Sequence, residues 1–134
     1  MTADPFVRYA GAVRGEYGDS QALCDQLVAL ICAGRKTATC GALRDFEADG
    51  EPIPEVGQYE VVLNWDETPA AVVRMTDVTV QRYDAVSEDF ALAEGENDSF
   101  AGWDAGHRAY FSRNGGWSAD MMLVCQRFEL VEVL

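Results

Sequence analysis

Lys36 is the only lysine in a chain whose nine other basic residues are all arginine. The distinction matters because a desolvated lysine can lose its proton and act as a base or nucleophile, whereas arginine stays charged. Lys36 follows Arg35 and Gly34, which reads as the end of a helix. A cation there also gains from the helix C-terminus without doing any chemistry. The residues alone leave both readings open. His107, the only histidine, falls on a stripe with Phe100, Trp103, Tyr110 and Phe111 at helical spacing. Such a stripe is expected to pack inward, and a histidine within it to be a hydrogen-bonded boundary residue rather than a catalyst. Arg108, Ser112 and Arg113 flank the stripe and could supply donors to an anion.

Other constellations fail on spacing. Gly34-Arg35-Lys36-Thr37 lacks the earlier glycine of a phosphate-binding loop. No serine sits in the context that a Ser-His-Asp triad with His107 would need. The stretch from Asp45 to Gly50 looks like the start of a calcium loop, but position twelve would be Val56 rather than a bidentate glutamate. It reads as a solvated polar loop over 45–57. Cys24, Cys32, Cys40 and Cys125 form no C-x-x-C pair and lie far from His107, so no metal site is expected and the thiols should be reduced and structural. No cofactor is expected either.

The formal charge of −13, from 23 acidic and 10 basic residues, repels a phosphate backbone and argues against duplex DNA as a partner. A ligand held in one local basic pocket remains compatible with it, and Arg35 and Lys36 with one or more of Arg44, Arg108 and Arg113 are expected to form that positive mouth. No apolar run approaches the roughly 18 residues of a membrane span. Met1 to Pro5 lacks a basic segment followed by an apolar one, so a cytoplasmic location is expected.

The elements that must position these residues can be read from caps and periodicity. Asp4-Pro5 opens a helix whose apolar positions continue through Val13 to Gly15, giving residues 1–19 as an N-terminal helical extension. Asp19 or Ser20 caps a second helix that presents Leu23, Leu27, Leu30 and Ile31 and stops at Gly34. A short strand around Thr37–Cys40, then Tyr59–Leu63, Ala71–Val73, Val78–Val80 and Met121–Leu134, carry the β pattern. Ser87 caps a short turn, and Ser99 caps the aromatic helix, which Gly115-Gly116 stops. The order predicts one α+β domain over 1–134, a small and mostly antiparallel β-barrel with N-terminal helices and a helix before the last strands.

Gly34-Arg35-Lys36-Thr37-Ala38-Thr39 resembles the opening motif of ASCH domains, relatives of the PUA-like RNA-binding fold. Pro52 to Gly57, Phe90 to Glu96, the Trp103–Ser112 stripe and Val124 to Glu129 resemble the family's later blocks in order, over about residues 20–134. The resemblance implies a cleft for RNA or a modified nucleoside such as a cytidine derivative. Some short members are amidohydrolases that remove an acyl group from N4 of cytidine; others have been viewed as RNA-binding modules or ribonucleases. Carried over, their lysine falls on Lys36, their threonine on Thr39 and their glutamate on Glu94. Arg35, Thr37, Arg44, His107, Tyr110, Ser112 and Arg113 would then contact substrate. In that scheme a depressed Lys36 pKa lets the amine take the Thr39 hydroxyl proton. An extended segment, however, puts Thr39 and Lys36 on opposite faces. The scheme therefore needs a bend near Thr37–Ala38, or a lysine that reaches around the strand edge.

Overall fold

The computed structural model describes residues 4–134. Five strands form one sheet in the order β1-β3-β4-β5-β2, curled into a half-barrel. They are β1 (Val13–Gly15), β2 (Ala38–Ala42), β3 (Tyr59–Leu63), β4 (Pro69–Arg82) and β5 (Met122–Val133). Only β1 with β3 is parallel; the β3–β4, β4–β5 and β5–β2 pairs are antiparallel. The two segments expected at Ala71–Val73 and Val78–Val80 are one strand, β4, whose pairing with β5 shifts register between Met75 and Asp77. An extra residue of this kind bends a strand without ending it.

Helix α2 (Gln21–Cys32), capped by Ser20, packs Leu27 and Ile31 against Val62, Val73, Met75 and Phe128. Helices α4 (Glu88–Ala93) and α5 (Phe100–Arg113), capped by Ser87 and Ser99, bury Phe90, Trp103 and Phe111 against Ala38, Ala42, Leu123 and Cys125. All four cysteines are free thiols. No helix among the described residues is long and apolar enough to cross a membrane.

Two expectations are corrected. The N-terminal segment is not helical to Gly15: α1 covers only Pro5–Arg8, and Val13–Gly15 pairs with β3. Tyr9 leaves the helical region and Gly11 has φ 77°, so the chain reverses and Val13–Gly15 satisfies its main chain on the sheet edge. Of the expected helical stripe Phe6, Tyr9, Ala10 and Val13, Phe6 and Tyr9 pack with Ala12 on Val61, Leu63 and Val72 instead. The polar loop after Ala42 contains helix α3 (Leu43–Asp49), closed by Gly50 at φ 63°. Its N-cap Ala42 makes no side-chain cap bond, so the usual start signal was missing from the sequence.

Candidate functional site

β2 and β1 are the two ends of the sheet, and a cavity of about 900 Å³ opens between them, lined by both edges and by parts of α2, α3 and α5. Lys36 reaches this cavity from outside the ladder. Gly34, at φ 74°, closes α2, and the amides of Arg35 and Lys36 both donate to the Leu30 carbonyl, at 3.0 and 3.1 Å. The main chain thus turns before β2 begins. Phe128 N donates to Thr37 O. In the antiparallel alternation this directs the Ala38 carbonyl away from β5, toward the open edge. Lys36 Nζ donates to that carbonyl at 2.8 Å. The amine therefore sits at the rim of the sheet.

Lys36 is 2% exposed and Glu94 1%. Nζ donates to Glu94 Oε1 at 3.2 Å, to the Glu94 carbonyl at 3.4 Å and to Glu96 Oε2 at 3.0 Å. Glu94 Oε2 accepts from Trp103 Nε1 at 2.6 Å, lies 3.2 Å from His107 Nε2, and takes the Cys40 thiol at 3.5 Å. Gly95 makes this junction possible. At φ 75°, a Cβ there would stand 2.5 Å from the Arg35 carbonyl oxygen.

Burial pulls the Lys36 pKa down, but the carboxylates of Glu94 and Glu96 more than offset this, so it ends raised. The expected depressed lysine is thereby corrected: with both carboxylates in place the amine is a firm ammonium. Burial pushes Glu94 up, and Lys36, His107 and Trp103 override that to hold it at about 2. Burial lowers His107 and contact with Glu94 raises it, for a net rise. Burial and Glu94 push the Cys40 thiol well up, so it remains protonated. Cys40 Sγ and His107 Nε2 both approach Glu94 Oε2, and the three residues offer ligand atoms within 4.8 Å of one another, a donor set that could hold a divalent ion. Yet that oxygen already receives Trp103, and Lys36 and His107 already balance Glu94 and Glu96, so a further cation would have to displace a proton.

Thr39 lines the same cavity and is partly exposed. No protein hydrogen bond to its hydroxyl is found among the described residues, so the group is left to the cavity. Its cross-strand partner is Gln126, with which it shares a face, whereas the next pair, Cys40 and Cys125, faces α4 and α5. Of the other residues expected at the site, His107, Tyr110 and Arg113 line the cavity. Arg113 is paired with Asp19 at 2.7 Å and lies over the Tyr110 ring. Thr37 is occupied in bonding Ala93 O at 3.3 Å, and Arg44 donates to the carbonyls of Asn114 and Gly116. Arg35, Thr37, Arg44 and Ser112 do not line the cavity.

The expected positive mouth does not form. Lys36 is neutralised, Arg108 is paired with Asp104 and Arg113 with Asp19. Glu16, Asp45, Asp49, Glu51, Glu60, Glu94 and Glu96 line the cavity against Arg14, Lys36 and Arg113. The sequence reading also missed Glu60, Tyr17 and Gln126. Glu60 is 6% exposed and accepts from the Tyr17 hydroxyl at 2.5 Å. Burial raises its pKa to about 7, and Tyr17 only partly opposes the rise. A charged residue within the apolar run of β3, Tyr-Glu-Val-Val-Leu, was the available signal.

The curled five-stranded half-barrel with its helices is the ASCH fold, a PUA-like architecture. The ASCH domain model matches residues 14–132, and the chain belongs to this family. It is 33% identical to an ASCH domain from Lactobacillus crispatus, with a TM-score of 0.83 over 98% of this chain and 86% of that one. A protein from Enterococcus faecalis is 34% identical, with a TM-score of 0.80 over 91% and 77%. An ASCH protein from Zymomonas mobilis, solved as a mutant, shares the fold at 8% identity and a TM-score of 0.54, over 92% and 73%. No curated protein matches the chain.

Proposed function

We propose that this domain is an amidohydrolase that removes an acyl group from N4 of an acylated cytidine, with Thr39 as nucleophile and Lys36 and Glu94 as its catalytic partners. The observation that carries the reading is Lys36 Nζ on the Ala38 carbonyl at the open edge of β2, above a cavity that the Thr39 hydroxyl also lines. The choice of N4-acylcytidine comes from the resemblance to short ASCH amidohydrolases. The carboxylate-rich lining favours a small uncharged nucleoside over a polyanion. Its size lies within the roughly 300–1,000 Å³ of small-molecule sites.

The chemistry has to begin by releasing a proton from Lys36. Substrate that engages Glu96, the more open of the two carboxylates, weakens the pairing that holds the ammonium. Burial then favours the neutral amine, and Glu96 takes the proton. Neutral Lys36 accepts the Thr39 proton as Oγ1 attacks the acyl carbon. The C–N4 bond breaks, and Lys36 returns the proton to the departing amine. Water hydrolyses the threonine ester, releasing the carboxylic acid. Glu94 keeps Lys36 in place throughout.

The test is incubation of the protein with N4-acetylcytidine, following cytidine and acetate by chromatography. Release that disappears in Thr39→Ala supports the reading. No release, together with tight binding of single-stranded RNA, would favour a binding module instead.

A further inference from the structure

Two buried polar groups of the cavity have no role in this chemistry. Tyr17 donates to Glu60 Oε1, and no protein group among the described residues bonds Glu60 Oε2. Gln126 is 5% exposed; its amide nitrogen has Met75 Sδ at 3.5 Å, and its side-chain carbonyl likewise lacks a protein partner. Neither free oxygen is sealed in protein, and both side chains line the cavity with Thr39. Polar atoms that face a cavity without a protein partner are bonded there by water or by a ligand. Glu60 is held in position: a Cβ at Gly15 would overlap Oε1 and its carboxyl carbon, so the side chain lies against bare backbone, and Tyr17 bonds that same oxygen, leaving Oε2 free.

We infer that Glu60 and Gln126 form a base-recognition subsite that reads the hydrogen-bonding edge of a cytosine ring. This rests on the nucleoside reading above and specifies it. Tyr17 makes Oε1 the acceptor of the pair, so the proton of a neutral Glu60 resides on Oε2. An Oε2–H donates to the unprotonated ring N3 of cytosine and meets a clashing N–H at N3 of uracil. Gln126, on the face it shares with Thr39, offers its free carbonyl oxygen to the N–H on the exocyclic N4, where uracil presents a second acceptor. Burial raises the Glu60 pKa to about 7, with Tyr17 opposing and Glu51 reinforcing the rise, so the neutral acid and its selectivity prevail only below that pH. Glu60 is thus a positioning residue, and Thr39 is left to react.

Calorimetry of cytidine and uridine binding to Thr39→Ala protein, together with steady-state kinetics on N4-acetylcytidine, tests the subsite. Cytidine should bind at least about tenfold more tightly than uridine, because a ring donor set against a buried donor leaves both unpaired. Glu60→Leu and Gln126→Leu should each raise KM about tenfold or more with little change in kcat, and Glu60→Gln should rescue most of the loss by presenting an N–H. Equal binding of the two nucleosides, or an unchanged KM in both leucine variants, overturns the subsite even if hydrolysis occurs. Cytidine-selective binding without hydrolysis upholds the subsite and overturns the amidohydrolase. Absence of both binding and turnover overturns both.

Discussion

His107 Nε2 stands 3.2 Å from Glu94 Oε2 while the ring's other nitrogen, Nδ1, stands 2.8 Å from the Trp103 carbonyl oxygen. A carbonyl and a carboxylate can only accept, so the arrangement is satisfied when both ring nitrogens carry hydrogen. The geometry therefore favours the imidazolium form of His107, which is stacked on Trp103 at 4.3 Å between ring centroids.

The first prediction follows from that charge. The chain has a single histidine, so its ring protons can be titrated by NMR without assignment ambiguity. The midpoint should lie above the ordinary value of about 6.5, in line with the raised pKa. Because the folded value is raised, the contribution of His107 to stability is complete below the unfolded pKa and is lost as pH rises through the folded one. A midpoint below about 6 would contradict the imidazolium.

Substitutions at Lys36 and Thr39 separate catalysis from binding. Lys36→Arg keeps a cation beside Glu94 and Glu96 but cannot release its proton, so turnover should vanish while nucleoside affinity changes little. Thr39→Ser should keep activity and Thr39→Ala should lose it. Lys36→Ala leaves buried Glu94 with His107 as its one remaining counter-charge and should cost up to about 3–5 kcal/mol of stability, read by denaturant unfolding. Full turnover in both Lys36→Arg and Thr39→Ala would remove the proposed mechanism.

Gly95 tests how the site is held together. Replacing it by alanine places a methyl group on the Arg35 carbonyl oxygen and demands φ 75° of a residue with a side chain. A loss of about 2 kcal/mol or more is expected in urea unfolding, together with weakened Lys36–Glu94 pairing. A neutral effect would show that the junction can relax.

Salt dependence reports on the acidic lining. Nucleoside binding should change only slightly between about 50 and 500 mM salt, because no phosphate is neutralised, and single-stranded RNA should bind weakly. A steep inverse salt dependence would reveal a cationic surface that Arg108–Asp104 and Arg113–Asp19 pairing argues against.

Much of the frame was legible because the signals are local. Asp4, Ser20, Ser87 and Ser99 cap the helices expected of them, and Gly34 ends α2 as a left-handed residue. The 36–94–107 cluster was partly legible too, since its members stand in family-like motifs. Lys36's ion pairs were not: they span 58 and 60 residues of sequence, and only the curl of the sheet brings α4 against the start of β2. Glu60 and Gln126 are single polar residues in apolar strands, and nothing local indicates that two strands with β4 between them would turn these side chains into one cavity. β1 carries no strand signal, because three residues that pair with a distant strand have no periodicity of their own.

The burial of Lys36 also makes the molecule its own gauge of opening. It is the chain's single lysine and it is 2% exposed, so in the closed fold no side-chain amine is available to an acylating reagent. Lysine modification, followed by mass spectrometry, has to wait for a fluctuation that parts Lys36 from Glu94 and Glu96. Its rate divided by that of a free lysine gives the fraction of time the rim is open. A ligand seated in the cavity should slow that labelling, so amine chemistry at one residue reports occupancy without any label being built into the protein.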